Sequence, residues 1–135
     1  MIVVDTNLIA YFFINGSCSE TAEQVFAKDP QWAAPVLWRS EFRSVLAKCI
    51  GKRCLGIEDA VEIAGAAETM MAGHEYAVRS PEVLRLAASA PCSAYDAEFV
   101  SLAKDLGVRL VTADVHLQTA FPGTALSPDR FIAGQ

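Results

Sequence analysis

The stretch Ile2-Val3-Val4-Asp5-Thr6-Asn7 decides how this chain is read. Three β-branched apolar residues form a short strand, too hydrophobic for an edge facing water. An acid follows directly. Thr6 and Asn7 are then placed to cap a helix that starts at Leu8. In an open parallel sheet the carboxyl ends of the strands line the crevice where ligands bind, so Asp5 is expected to stand at that crevice.

Working outward, strands and helices alternate. The helix from Leu8 is broken by Asn15-Gly16-Ser17. A second helix spans 19–28, with Ala22, Val25 and Phe26 at i, i+3 and i+4, and stops at Asp29-Pro30. A strand lies within 32–37, interrupted by Pro35. The helix 38–50 carries Phe42, Val45, Leu46 and Cys49 as its apolar stripe, and Gly51 ends it. The helix 57–71 steps Ile57, Val61, Ala64 and Glu68 along one side; its alanines and Gly65 imply close packing on a neighbour, a second subunit included. A strand at 75–78 precedes a helix over 80–90, with Ser80 as cap and Pro81 at its first position. The helix 93–106 is closed by Gly107. A strand at 108–112, a short helix at 114–120 and a last strand at 124–126 follow, and the tail 127–135 carries no clear pattern. This alternation predicts an α/β fold: a central, mostly parallel sheet of four or five short strands with helices on both faces. At 135 residues, positions 1–135 are expected to form a single domain.

Composition narrows the class. A hydrophobic fraction of 53% against 20% charged residues excludes a disordered chain. No run approaches the roughly 20 apolar residues of a membrane helix, and no basic segment precedes an apolar one as in a signal peptide. A cytoplasmic protein is expected. Cys18, Cys49, Cys54 and Cys92 form no C-x-x-C pair and are not spaced with His74 or His116 as zinc ligands; they read as reduced, mostly buried thiols. The net charge is −5, yet setting four of the 16 acids aside leaves 12 against 11 bases. Five of those bases, Arg39, Arg43, Lys48, Lys52 and Arg53, fall in one window whose only acid is Glu41. That window offers either a basic face for nucleic acid or simply a solvated helix face.

The four acids are Asp5, Glu41, Asp96 and Asp114. Each has an ordinary explanation. Asp5 suits the turn after a strand, Asp96 a capping box with Ser93, Asp114 a helix N-cap, and Glu41 a surface acid beside Arg39 and Arg43. Together they ask for more. Asp5 and Asp114 each follow a β-branched run, while Glu41 and Asp96 border the apolar stripes of their helices and can point along the core. Glu98 lies farther round its helix and reads as solvated. Acids gathered at one crevice repel one another unless a cation neutralises them, and an all-oxygen donor set suits Mg²⁺ or Mn²⁺.

On these residues the chain resembles the PIN-domain ribonucleases, and most closely the VapC-type toxins of bacterial toxin–antitoxin pairs. The resemblance is carried by IVVDTN, by PVLWRSEFRSVL at 35–46, by YDAEFVSLAKDLG at 95–107 and by LVTAD at 110–114, in this order and spacing. It implies a PIN-like three-layer fold in which Asp5, Glu41, Asp96 and Asp114 are the catalytic acids and hold one or two Mg²⁺ or Mn²⁺ ions. Thr6, Asn7 and Thr112 match polar companions that would orient the acids or touch substrate. The implied reaction is hydrolysis of an RNA phosphodiester, on single-stranded or looped RNA, with a cognate antitoxin and a homodimer as implied assemblies and no membrane. Arg39 or Arg43 is expected to hold a phosphate oxygen. Alternatives are a PIN-type RNA-processing nuclease that is not a toxin, and a degenerate PIN module that binds without cutting. A haloacid-dehalogenase-like phosphatase would want an Asp where Asn7 stands. A receiver-like domain would want a Lys after the last core strand, where Thr112-Ala113-Asp114 is found.

Overall fold

The computed structural model describes residues 1–135. In chain order the elements are β1 (Ile2–Val4), α1 (Thr6–Phe13), α2 (Ser19–Lys28), β2 (Trp32–Pro35), α3 (Trp38–Gly51), α4 (Ile57–Met71), β3 (Glu75–Tyr76), α5 (Ser80–Ser89), α6 (Ala94–Leu106), β4 (Leu110–Val111), α7 (Val115–Ala120), β5 (Ala125–Leu126) and α8 (Pro128–Ile132). The five strands form one parallel sheet in the order β3-β2-β1-β4-β5, flanked by helices. No helix is long and apolar enough to cross a membrane.

The sheet order follows from burial. All three residues of β1 are buried, as its unbroken apolar run demands of a central strand. Val3 sits level with Ala33 on one side and Leu110 on the other. From β1 the chain winds outward through β2 and β3, and later through β4 and β5 in the opposite direction. The boundary between β1 and β4 is therefore the point where the strand order reverses, and a crevice opens there at the carboxyl ends. α6 packs against β1, β2 and β4, α5 lies on α6, and α1 is held between α2 and α3. An aromatic cluster of Phe12, Phe26 and Trp32 fills the α1–α2 side, with ring centroids 4.8–5.5 Å apart.

Several elements depart from the sequence expectation. α1 begins at Thr6, because Asp5 itself caps it and Thr6 and Asn7 form its first turn. β3 is confined to Glu75–Tyr76: β2 leaves the sheet after Val36 N–H bonds the Tyr76 carbonyl, so Val78 has no partner. β4 starts late, because the Val108 N–H turns back to the Ala103 carbonyl to close α6 behind left-handed Gly107. α4 faces the other way. Ala60, Ala67 and Met71 are its buried seam, whereas Ile57 and Val61 are 58% and 60% exposed. The tail holds a helix, α8, capped by Ser127 and tied to α2 by Lys28, whose ammonium reaches the carbonyls of Phe131 and Ile132. All four cysteines are free; Cys54 is exposed and the other three are half-buried.

Candidate metal centre

Asp5 and Asp114 stand at the carboxyl ends of the neighbouring strands β1 and β4. Asp5 leaves β1 extended and caps α1, its Oδ1 accepting the Leu8 N–H at 2.9 Å. Its Oδ2 accepts the hydroxyl of Thr112. The same hydroxyl oxygen accepts the Asp114 N–H at 3.0 Å. Asp114 in turn caps α7, its Oδ1 accepting the N–H groups of His116 and Leu117 at 2.8 and 3.3 Å. Asp114 is therefore the N-cap that its ordinary explanation names, Asp5 caps α1 in place of the expected Thr6 and Asn7, and both acids also face the crevice.

Glu41 and Asp96 arrive on helices. Trp38, Phe42 and Leu46 anchor the buried side of α3, and Glu41 sits at its border. The Thr6 hydroxyl donates to Glu41 Oε1 at 2.7 Å, which fixes the carboxylate beside the start of α1. That contact exists because Asp5, not Thr6, caps α1 and leaves the Thr6 hydroxyl free. Asp96 occupies the first turn of α6, its N–H donating to the capping Ser93 Oγ at 3.0 Å.

The four acids line one cleft, together with Thr6 and Asn7. Burial is the main force on Asp5, which is 8% exposed. It pushes the Asp5 carboxyl up to about 6, with the charge of Asp114 adding to the rise and the hydrogen bonds from Thr112, Leu8 and Ala113 opposing it. Asp96 is raised too, by burial first and with a contribution from Asp114. The cleft is an open acid-lined basin rather than a closed ligand cage. No three His, Cys, Asp or Glu side chains converge closely enough in this arrangement to hold one ion. The donor set itself fits a hard divalent cation: it is all carboxylate oxygen, each carboxylate keeps lone pairs beyond its hydrogen bonds, and two of the acids are held in a state that an added positive charge relieves.

Not every expected residue reaches the cleft. Thr112 is buried behind Asp5 and touches both strand-end acids rather than the open space. Arg39 is turned away from the cleft: Nε and Nη2 grip the two oxygens of Glu75 at 2.6 and 2.9 Å, and Nη1 meets Glu68 at 2.9 Å. Trp38 Nε1 donates to the same Glu75 at 2.7 Å. Arg39 thus joins α3 to α4 and β3, and its planar fork is spent on a carboxylate before any phosphate arrives. Arg43 is exposed and is not among the cleft residues. In their place α3 presents Ser44, Val45 and Lys48. The signal for them was the helical spacing from Glu41, which sets positions 44, 45 and 48 on its face. Glu98 is a further correction. It is half-buried on α6, and its carboxyl is raised by burial and then by the charge of Glu41.

The PIN domain family model matches residues 2–120. Among solved structures, the chain is similar to PAE2754 from Pyrobaculum aerophilum, with a TM-score of 0.72 at 20% identity, covering 99% of this chain and 97% of that one. It is also similar to FitAcB from Neisseria gonorrhoeae, with a TM-score of 0.75 at 16% identity and coverage of 95% and 98%. FitAB bound to an IR36 DNA fragment gives 0.72 at 17% identity, with 95% of each chain covered. At these identities the likeness is one of fold. No curated protein matches the chain by sequence.

Proposed function

The chain belongs to the PIN domain family, and from that premise we propose that residues 1–135 are a single nuclease domain that cuts RNA with a divalent cation, Mg²⁺ or Mn²⁺. The observation that carries this reading is the gathering of Asp5, Glu41, Asp96 and Asp114 on one cleft at the strand-order reversal. PIN domains are generally nucleases that use divalent cations, and the donor chemistry of this cleft agrees.

Asp5, Glu41, Asp96 and Asp114 would hold the ion or ions. When bound, a divalent cation supplies Lewis acidity toward water and phosphate oxygens and neutralises the clustered carboxylates. The remaining work falls to the chain. Thr112 and the Leu8 N–H fix the Asp5 carboxylate, and Thr6 fixes that of Glu41, so neither has to be reoriented when substrate arrives. Hydrolysis joins a water oxygen to phosphorus and breaks the P–O3′ bond; one acid of the cleft accepts the proton of the attacking water. Asn7, exposed on the cleft rim, is placed to contact the sugar–phosphate backbone.

The toxin reading rests on the resemblance to VapC-type proteins. It adds a cognate antitoxin, a homodimer and a cytoplasmic setting, and the exposed apolar pair Ile57 and Val61 on α4 supports burial of that face in an assembly. The test takes purified chain, labelled single-stranded RNA and Mg²⁺ or Mn²⁺. Cleavage is expected from the wild type and lost on chelation, in Asp5→Asn and in Asp96→Asn. Wild-type-like cleavage by both variants would remove the metal-site assignment. Growth arrest on expression, relieved by Asp5→Asn, supports the toxin; harmless expression of an active nuclease supports RNA processing instead.

A further inference from the structure

We infer that Lys48 is a phosphate-binding residue of the cleft, holding the RNA backbone phosphate next to the scissile one; this rests on the nuclease reading above. Of the 11 Lys and Arg residues, Lys48 is the only one on the cleft wall. α3 places it there. Glu41, Ser44, Val45 and Lys48 stand at i, i+3, i+4 and i+7 and share one helix face. Buried Trp38, Phe42 and Leu46 fix the rotation of α3, so that face cannot turn from the cleft.

The Lys48 ammonium is uncommitted. Four carboxylates line the same cleft, yet it forms no ion pair with any of them, while Arg39 one face away is fully engaged. A lysine whose task was to neutralise the acids would sit on one. Lys48 lies two helical turns from Glu41, about 10 Å along the axis at 1.5 Å per residue. That separation, with no ion pair to any acid, keeps Lys48 beside the acids rather than paired with one, a position suited to the phosphate adjacent to the scissile one. The exposed Ser44 hydroxyl, between them on the same face, offers a second donor. Beyond Lys48, Lys52 and Arg53 are exposed at the end of α3 and continue the basic edge away from the acids. An ammonium is a compact point charge suited to a phosphate oxygen and does not require the planar geometry of an arginine.

The experiment compares wild type, Lys48→Ala and Lys48→Arg in steady-state RNA cleavage at several salt concentrations. Lys48 is exposed, so thermal melts of the three proteins should coincide. Lys48→Ala is expected to raise KM about tenfold with kcat nearly unchanged, and Lys48→Arg to recover most of the loss. The slope of log K against log salt should flatten by about 0.7, the value for one single-strand phosphate contact. An unchanged KM and slope, or a loss confined to kcat, overturns the assignment while leaving the nuclease intact. A wild type that neither binds nor cuts RNA overturns both readings. A salt-dependent loss of binding to an acidic peptide, with RNA kinetics untouched, would give Lys48 to a protein partner instead.

Discussion

The hydroxyl of Thr112 donates to the carboxylate of Asp5, joining residues 107 positions apart at the ends of two neighbouring strands. Its oxygen also receives the Asp114 N–H, so one buried side chain sets the separation of two acids of the cleft. β4 meets β1 in a register that pairs Val4 with Val111, and the next residue on each strand is Asp5 and Thr112. The backbone ladder therefore delivers the contact, and the hydroxyl converts it into an orientation.

Thr112→Val keeps the shape and removes the hydroxyl. It leaves the Asp5 carboxylate short of a donor and the Asp114 N–H without its acceptor. Urea denaturation should show a loss of about 1–3 kcal/mol. The Asp5 carboxyl should move above its value of about 6, carrying the acidic limb of the pH–rate profile upward. Thr112→Ser should restore both. Unchanged stability in the valine variant would remove Thr112 from this role.

Asp5 is expected to cost stability near neutrality. Its folded value of about 6 lies above the ordinary 3.8, so between those values the folded state binds more protons than the unfolded one. Stability then falls as pH rises through that window and stays lowered above it, by up to about 3 kcal/mol. Asp5→Asn keeps a good N-cap and removes the charge. In divalent-free buffer at pH 7.5 it should be more stable than wild type, with the gap closing near pH 4, and it should not cut RNA. A variant less stable than wild type at every pH would contradict the burial argument.

Divalent cations should stabilise the protein in a pH-dependent way. A carboxylate must be ionised to be a ligand, and below about pH 6 Asp5 holds its proton. Mg²⁺ or Mn²⁺ at a hundredfold excess over Kd contributes about 2.7 kcal/mol. The rise in Tm should be clear at pH 7.5 and much smaller at pH 5, and it should shrink in Asp5→Asn and Asp96→Asn. An equal rise at both pH values, kept in the variants, would place the ion elsewhere.

Arg39 and Lys48 should separate cleanly by assay. Arg39→Ala leaves Glu75, with a 16% exposed side chain, without its bidentate partner and is expected to lower the Tm at neutral pH. The Arg39 hydrogen bond is the main cause that lowers the Glu75 carboxyl, so the contribution is present above the ordinary 4.5 and lost as pH falls through the lowered value. The stability gap should close in acid. KM for RNA should not change. A raised KM with normal stability would return Arg39 to substrate binding.

Much of the fold was legible along the chain. The β-branched run at Ile2–Val4, the caps at Ser93 and Asp114 and the stops at Asp29-Pro30 and Gly107 are local signals, and the elements begin and end close to them. The alternation of those elements determines the parallel sheet. With it comes the meeting of Asp5 and Asp114, because strand ends share an edge whatever covers the sheet. Stripe borders likewise brought Glu41 and Asp96 to the same cleft. Which charge answers which is a different matter. Arg39 stands beside Glu41 in sequence, yet it pairs with Glu68 and Glu75, 29 and 36 residues away. Glu98 has a solvated position by helical period alone, yet it is half-buried and lies in the field of Glu41. On α4 the small residues Ala60 and Ala67 face inward and the larger Ile57 and Val61 face out, a choice that helical period alone cannot make. Hydrophobic period, caps and turns act within a few residues, so the sequence by itself determined the elements, their alternation and the edge where the acids gather. Electrostatic partners and packing faces depend on distances between elements far apart in the chain, and only the tertiary structure decided those.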